Sequence, residues 1–127
     1  AASGMRAQTE RIRVVAENVA NANSVAITED GKPYQRKTVT FANTLDRELG
    51  VELVRVHSVG RDDSAFNLRY EPGHPSANDA GYVEYPNVNS LIEMMDMREA
   101  QRTYQANLKV METTRGLAAK LLEVLRG

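Results

Sequence analysis

Apolar residues recur at helical spacing at both ends of the chain and alternate at strand spacing between them. Near the start, Met5, Ile12 and Val19 lie seven apart, and Gln8, Val15 and Ala22 each follow by three. This predicts a helix over 1–24 with a two-position heptad seam that only Gln8 interrupts. A seam that narrow suits packing of helix on helix better than burial against a sheet. Asn18, Asn21, Asn23 and Ser24 disfavour helix interiors and mark its end. Asparagine offers both a donor and an acceptor to loose backbone groups there, so Asn18, Asn21 and Asn23 are expected to close the helix and tie its end to a neighbouring subunit or to the β domain. After Pro86 a longer helix is expected. Met97, Tyr104, Met111, Ala118 and Leu125 keep the seven-residue step, and Met94, Leu108, Leu117, Leu121 and Leu122 widen the stripe. Asn89 or Ser90 is the expected N-cap, with Glu93 placed to complete it.

The middle reads as strands and turns. Pro33 to Phe41 is rich in β-formers and follows an Asp30-Gly31 turn signal. Val51 to Val59 is a second β-branched run. Phe66, Leu68 and Tyr70 alternate with Asn67, Arg69 and Glu71, the clearest period of two in the chain and the mark of a half-buried strand. Glu71-Pro72-Gly73-His74-Pro75 is a turn, and Gly81 to Tyr85 a last short strand. The expected fold is therefore α+β. Long N- and C-terminal helices pair as a coiled coil, 1–24 with 87–127, and carry a small β-rich domain inserted at 25–86.

Size sharpens this picture. From Asn89 to Arg126 the second helix would run roughly 55 Å at about 1.5 Å per residue. A compact globule of 127 residues is only about 35 Å across. The chain is expected to be elongated, with much of that helix buried only in an assembly. Lys+Arg is 16 and Asp+Glu is 17, giving a net charge of −1. That balance argues against a nucleic-acid binder. No apolar run reaches the ~18–20 residues of a membrane span.

Candidate chemistry is thin. There is no cysteine, which removes disulfides, thiolate zinc sites and cysteine nucleophiles together. His57 and His74 are the candidates for acid–base work, but no serine or carboxylate stands at a motif spacing from either. Arg61-Asp62-Asp63-Ser64 and Asn78-Asp79-Ala80-Gly81 lack the ligand spacing and closing Glu of a calcium loop. Arg36-Lys37 beside Tyr34 and Phe41 could stack single-stranded nucleic acid, but Glu29 and Asp30 cancel the charge locally. Met94, Met95, Met97 and Met111 sit at helical spacing, where methionine is a packing residue. No enzyme, cofactor or metal site is expected.

Three segments together resemble the axial proteins of the bacterial flagellum, its basal-body rod members in particular. They are Ser3-Gly4-Met5-Arg6-Ala7-Gln8 running to Asn18-Val19-Ala20-Asn21-Ala22-Asn23; Pro33-Tyr34-Gln35-Arg36-Lys37 with Val39-Thr40-Phe41; and Tyr70-Glu71-Pro72-Gly73-His74-Pro75 through Gly81-Tyr82-Val83 and Pro86-Asn87-Val88 into the helix from Glu93 to Arg126. Roughly 42–65 lies outside the likeness. The family's first helix usually starts several residues before Ala1, so its first turns are expected to be missing here.

The resemblance implies an axial structural subunit, exported through the flagellar type III apparatus without a cleaved signal. Many copies would stack helically into the proximal rod, which crosses the periplasm and transmits torque. Its partners would be copies of itself, other rod proteins and the export apparatus, with no nucleic acid and no membrane insertion. A related rod or hook-type axial protein, or a free-standing coiled-coil scaffold or adaptor, is the alternative. The expected assembly residues are Ile12, Val15, Asn18, Val19 and Asn21 on the first helix. On the second they are Met97, Tyr104, Leu108, Met111, Leu122 and Leu125. Stripes this narrow bury little on their own, so the isolated subunit is expected to be only partly folded, with its termini ordering on assembly.

Overall fold

The computed structural model describes residues 2–26, 31–46 and 51–127, of which 43–46 and 51–57 are described by backbone alone. Ala1, and Asp30 of the expected turn, lie outside the described residues. Among the described residues, two helices and four strands come in the order α1 (Ala2–Ala20), β1 (Lys37–Asp46), β2 (Val51–Arg61), β3 (Asn67–Tyr70), β4 (Tyr82–Tyr85) and α2 (Ser90–Arg126).

The helix α1 lies antiparallel along α2. Gly4 is beside Asn107, Arg11 reaches Asp96 and Glu99, and Asn18 meets Glu93. The buried side of α1 is made by Ser3, Ala7, Val14, Val15 and Asn18, and that of α2 by Glu93 and Ala100. Met97, Tyr104, Leu108 and Met111 are half-buried on the same side of α2, where the seven-residue step places them. On α1 the expectation differs from the structure. Met5, Ile12 and Val19 are half-buried rather than the centre of the contact. The reason is size: a Cβ on Gly4 would sit 2.9 Å from the Asn107 side chain. Small side chains let the two backbones approach, and they are silent in a pattern built on large apolar residues. Gln8 has its Oε1 buried with no hydrogen-bond partner among the described residues.

Asn21 ends α1 by turning its amide back on the helix. Its Nδ2 donates to the Glu17 carbonyl at 2.8 Å, and its Oδ1 accepts the Ser24 hydroxyl at 3.0 Å. At the start of α2, Asn89 is the N-cap, its Oδ1 accepting the N–H groups of Leu91 and Ile92. Two of the four orphan donors of the first turn are satisfied this way.

The strands form two separate antiparallel ribbons, β1 with β2 and β3 with β4. The first packs on α1 and carries a bulge, because Thr40 pairs with Ser58 while Phe41 pairs with Val56. His57 is thus the extra residue, as a bulge requires; its side chain lies outside the described ones. In the second ribbon the alternation of β3 is real but its apolar face is not covered. Leu68 and Tyr70 are exposed, and the buried face belongs to β4 through Val83 and Tyr85. Tyr70 meets Tyr82 edge to face at 5.3 Å, and the Arg69 guanidinium lies 4.1 Å from the Tyr85 ring centre. Gly81 closes the loop at φ +87°, where an added Cβ would strike Tyr70 at 2.9 Å.

The accessible surface is 9287 Å² for 14.1 kDa, whereas a compact protein of that mass exposes about 6700 Å². The end of α2 is part of that exposure. Every residue from Glu112 to Gly127 is exposed, a stretch of about 22 Å at 1.5 Å per residue.

Candidate functional site

Where α1, β1 and the start of α2 meet, the chain buries polar groups rather than a large apolar core. Asn18 is almost completely enclosed. Its Oδ1 accepts the Lys37 N–H at 2.9 Å and the Tyr34 hydroxyl at 2.6 Å. Its Nδ2 donates to the Lys37 carbonyl at 2.9 Å and lies 3.5 Å from Glu93 Oε2. One amide therefore offers β1 what a neighbouring strand would offer it, and fastens helix to ribbon. Glu93 is fully buried, and its Oε1 accepts from Arg36 Nε. Arg36 continues to Asp62 at 3.3 Å and Asp96 at 3.7 Å, and Lys37 pairs with Glu17 at 2.6 Å.

Burial works against the Arg36 cation, but the hydrogen bonds and charges of Glu93 and Asp62 win and raise its pKa. Burial, with Glu17 and Glu93 nearby, raises Tyr34. Asp62 is held below its ordinary value, first by the N–H of Ser64 and then by Arg36. Asn87 binds the same region from the far side. Its Oδ1 accepts the Arg36 N–H at 2.8 Å, and its Nδ2 donates to the carbonyls of Asp62 and Ser64. An open cavity of about 390 Å³ lies over this junction, floored by Val14, Val15, Val39 and Phe41.

These contacts settle what the candidate groups do within the chain. Arg36 and Lys37 are taken up by carboxylates. His74 Nδ1 accepts the Ser76 N–H at 3.0 Å and shapes its turn. Asn78 Oδ1 accepts the Tyr82 N–H. Among the described residues there is no cluster of three possible metal ligands, and no helix is long and apolar enough to cross a membrane. Of the expected assembly residues, Asn18 and Val15 are buried inside the chain. Ile12, Val19, Asn21, Met97, Tyr104, Leu108 and Met111 are half-buried, and Leu122 and Leu125 stand in the open. Glu93 and Arg36, which hold the junction, were not legible as a pair, since 57 residues separate them.

What remains is a surface. Leu117, Leu121, Leu122, Val124 and Leu125 are all more than half exposed. At 100° per residue, Ala118, Leu121, Leu122 and Leu125 continue the side of α2 that carries Glu93, Ala100 and Met111. The helix has an apolar stripe whose first part is covered by α1 and whose last part is covered by nothing described.

Residues 79–124 match the family model described as flagellar basal body rod FlgEFG protein C-terminal. Over nearly the whole length the chain is similar to flagellar basal-body rod proteins FlgC. It is 50% identical to that of Agrobacterium fabrum over 126 residues, spanning 99% of this chain and 91% of the relative. It is 40% identical to that of Salmonella typhimurium, spanning 96% and 90%, and 36% identical to that of Bacillus subtilis, spanning 97% and 92%. With this agreement running from α1 to the exposed end of α2, the chain belongs to the FlgC family of flagellar basal-body rod proteins and is a structural component of that rod.

Proposed function

We propose that the protein polymerises helically into the proximal rod through its terminal helices and there transmits torque across the periplasm. The observation that carries this reading is the uncovered apolar stripe at the end of α2. A stripe of this kind on a soluble chain costs free energy until a neighbour covers it. Here it continues a stripe already half-satisfied by α1. Copies that bury each other's stripes through unlike surfaces make an open helical filament where the rotation between them does not close into a ring. The pairing of 1–24 with 87–127 would then tighten into coiled-coil packing within the rod, with 25–86 carried outside it. Asn18 and the Glu93–Arg36 pair make the junction between them stiff, which torque requires.

Ile12, Val19, Met97, Tyr104, Leu108 and Met111, each only half covered, are the positions a neighbouring copy would finish burying. Leu122 and Leu125 are those it would bury outright. Copies of the chain, other rod proteins and the export apparatus are the partners this reading requires. It requires no cofactor and no catalytic residue.

The experiment is a double substitution, Leu122→Asp with Leu125→Asp, compared with Lys120→Asp on the polar back of the same turn. The first should leave the purified protein folded by circular dichroism and secreted to normal levels, yet abolish rods and motility. The second should preserve both. Normal rods with the double substitution would refute the reading.

A further inference from the structure

We propose that Thr113–Gly116 is a hinge in α2, about which the apolar segment 117–126 turns as a unit. Three observations coincide there. Burial stops at Met111, and every residue from Glu112 onward is exposed, so nothing described braces the helix beyond that point. Thr113 and Thr114 both turn their hydroxyls back on the helix, donating to the carbonyls of Lys109 and Val110 at 2.9 Å. Such bonds compete with the backbone ladder and favour bending. Thr9 and Thr103 make the same bond singly and without a following glycine. Two residues on comes Gly116, beside which an added Cβ would meet no atom within 4 Å, so close packing does not explain it. In an exposed helix interior glycine is disfavoured about four- to fivefold relative to alanine.

The segment beyond the joint is not a fraying end. Leu117-Ala118-Ala119-Lys120-Leu121-Leu122-Glu123 are strong helix formers, and the backbone ladder runs on to its last bond, from the Gly127 N–H to the Glu123 carbonyl at 3.0 Å. A weak joint thus separates two good helical segments, one held by α1 and one free. In the rod assembly proposed for this chain, on which this consequence rests, the joint lets one apolar stripe meet neighbours at more than one angle.

Hydrogen exchange on the purified, unassembled full chain tests the hinge apart from any rod. Exchange should peak at the amides of 113–120 and be slower on both sides, at 97–108 and at 121–124, a result that would also count against a C-terminal helix that orders only on assembly. Gly116→Ala should slow the peak about four- to fivefold, as should Thr113→Ala with Thr114→Ala. Val124→Ala, which raises helix propensity near the end, should leave it unchanged. Exchange that rises steadily to the C-terminus, a terminal segment as fast as the joint, or equal slowing by Val124→Ala and Gly116→Ala would each overturn the proposal in favour of simple fraying.

Discussion

Asn18 shows how much one side chain can decide. Its amide, itself almost completely buried, meets both backbone groups of Lys37 and the Tyr34 hydroxyl. A leucine there would leave three part-buried polar groups without that partner, and each such group costs about 1–3 kcal/mol when no water replaces the loss. Partial rescue by water is expected at the open cavity alongside. We therefore predict that Asn18→Leu lowers stability by about 2–4 kcal/mol in urea unfolding, although leucine is the more apolar side chain. Asp62 makes a prediction about pH. Its folded pKa lies below the ordinary 3.8, through Ser64 and then Arg36. A depressed carboxyl stabilises the fold fully above its unfolded pKa and loses that contribution as pH falls through the folded one. The stability gap between the native protein and Asp62→Asn should be constant at neutral pH and shrink below 3.8. A gap that widened there would have the sign wrong.

The two helices were not equally legible. The stripe of α2 could be read in part: Met97, Tyr104, Leu108 and Met111, large residues that a seven-residue count detects, are half-buried, whereas the fully buried positions are Glu93 and Ala100. The side of α1 was legible only at Val15 of the expected seam; Ser3, Ala7 and Asn18 are buried with it, and small or polar residues carry no hydrophobic signal. Glu93 invites the same error: its spacing suggests a capping box, but the cap is Asn89 and the carboxylate is folded inward onto Arg36. In β3 the period of two told the strand and not the burial, since nothing in a local pattern says whether a second layer exists to cover Leu68 and Tyr70. The close approach of the helices is itself testable. Ala100 is fully buried, and overfilling a packed site usually costs about 1–3 kcal/mol. Ala100→Leu should therefore destabilise the chain by that amount in urea unfolding, while Ala119→Leu, on the exposed end, should be nearly neutral.

At the scale of the whole molecule, apolar surface that the chain does not cover by itself is the dominant feature. A subunit that filled its own core would not expose about 2500 Å² more than a compact protein of its mass. The expectation that the helix outruns any globule came from length alone, and the exposed residues from Glu112 to Gly127 agree with it. Which residues lie in that stretch matters more than its length, because an exposed polar helix would need no partner. The absence of cysteine from the sequence makes the decisive measurement simple. A single cysteine at Leu122 should react freely with a maleimide in the purified subunit and become strongly protected, at least tenfold slower, in isolated basal bodies. A cysteine at Lys120, on the opposite side of the same turn, should change less between the two states. If Leu122→Cys reacted as fast in the assembled rod as in the free subunit, the end of α2 would not be the assembly surface, and the central claim would fail.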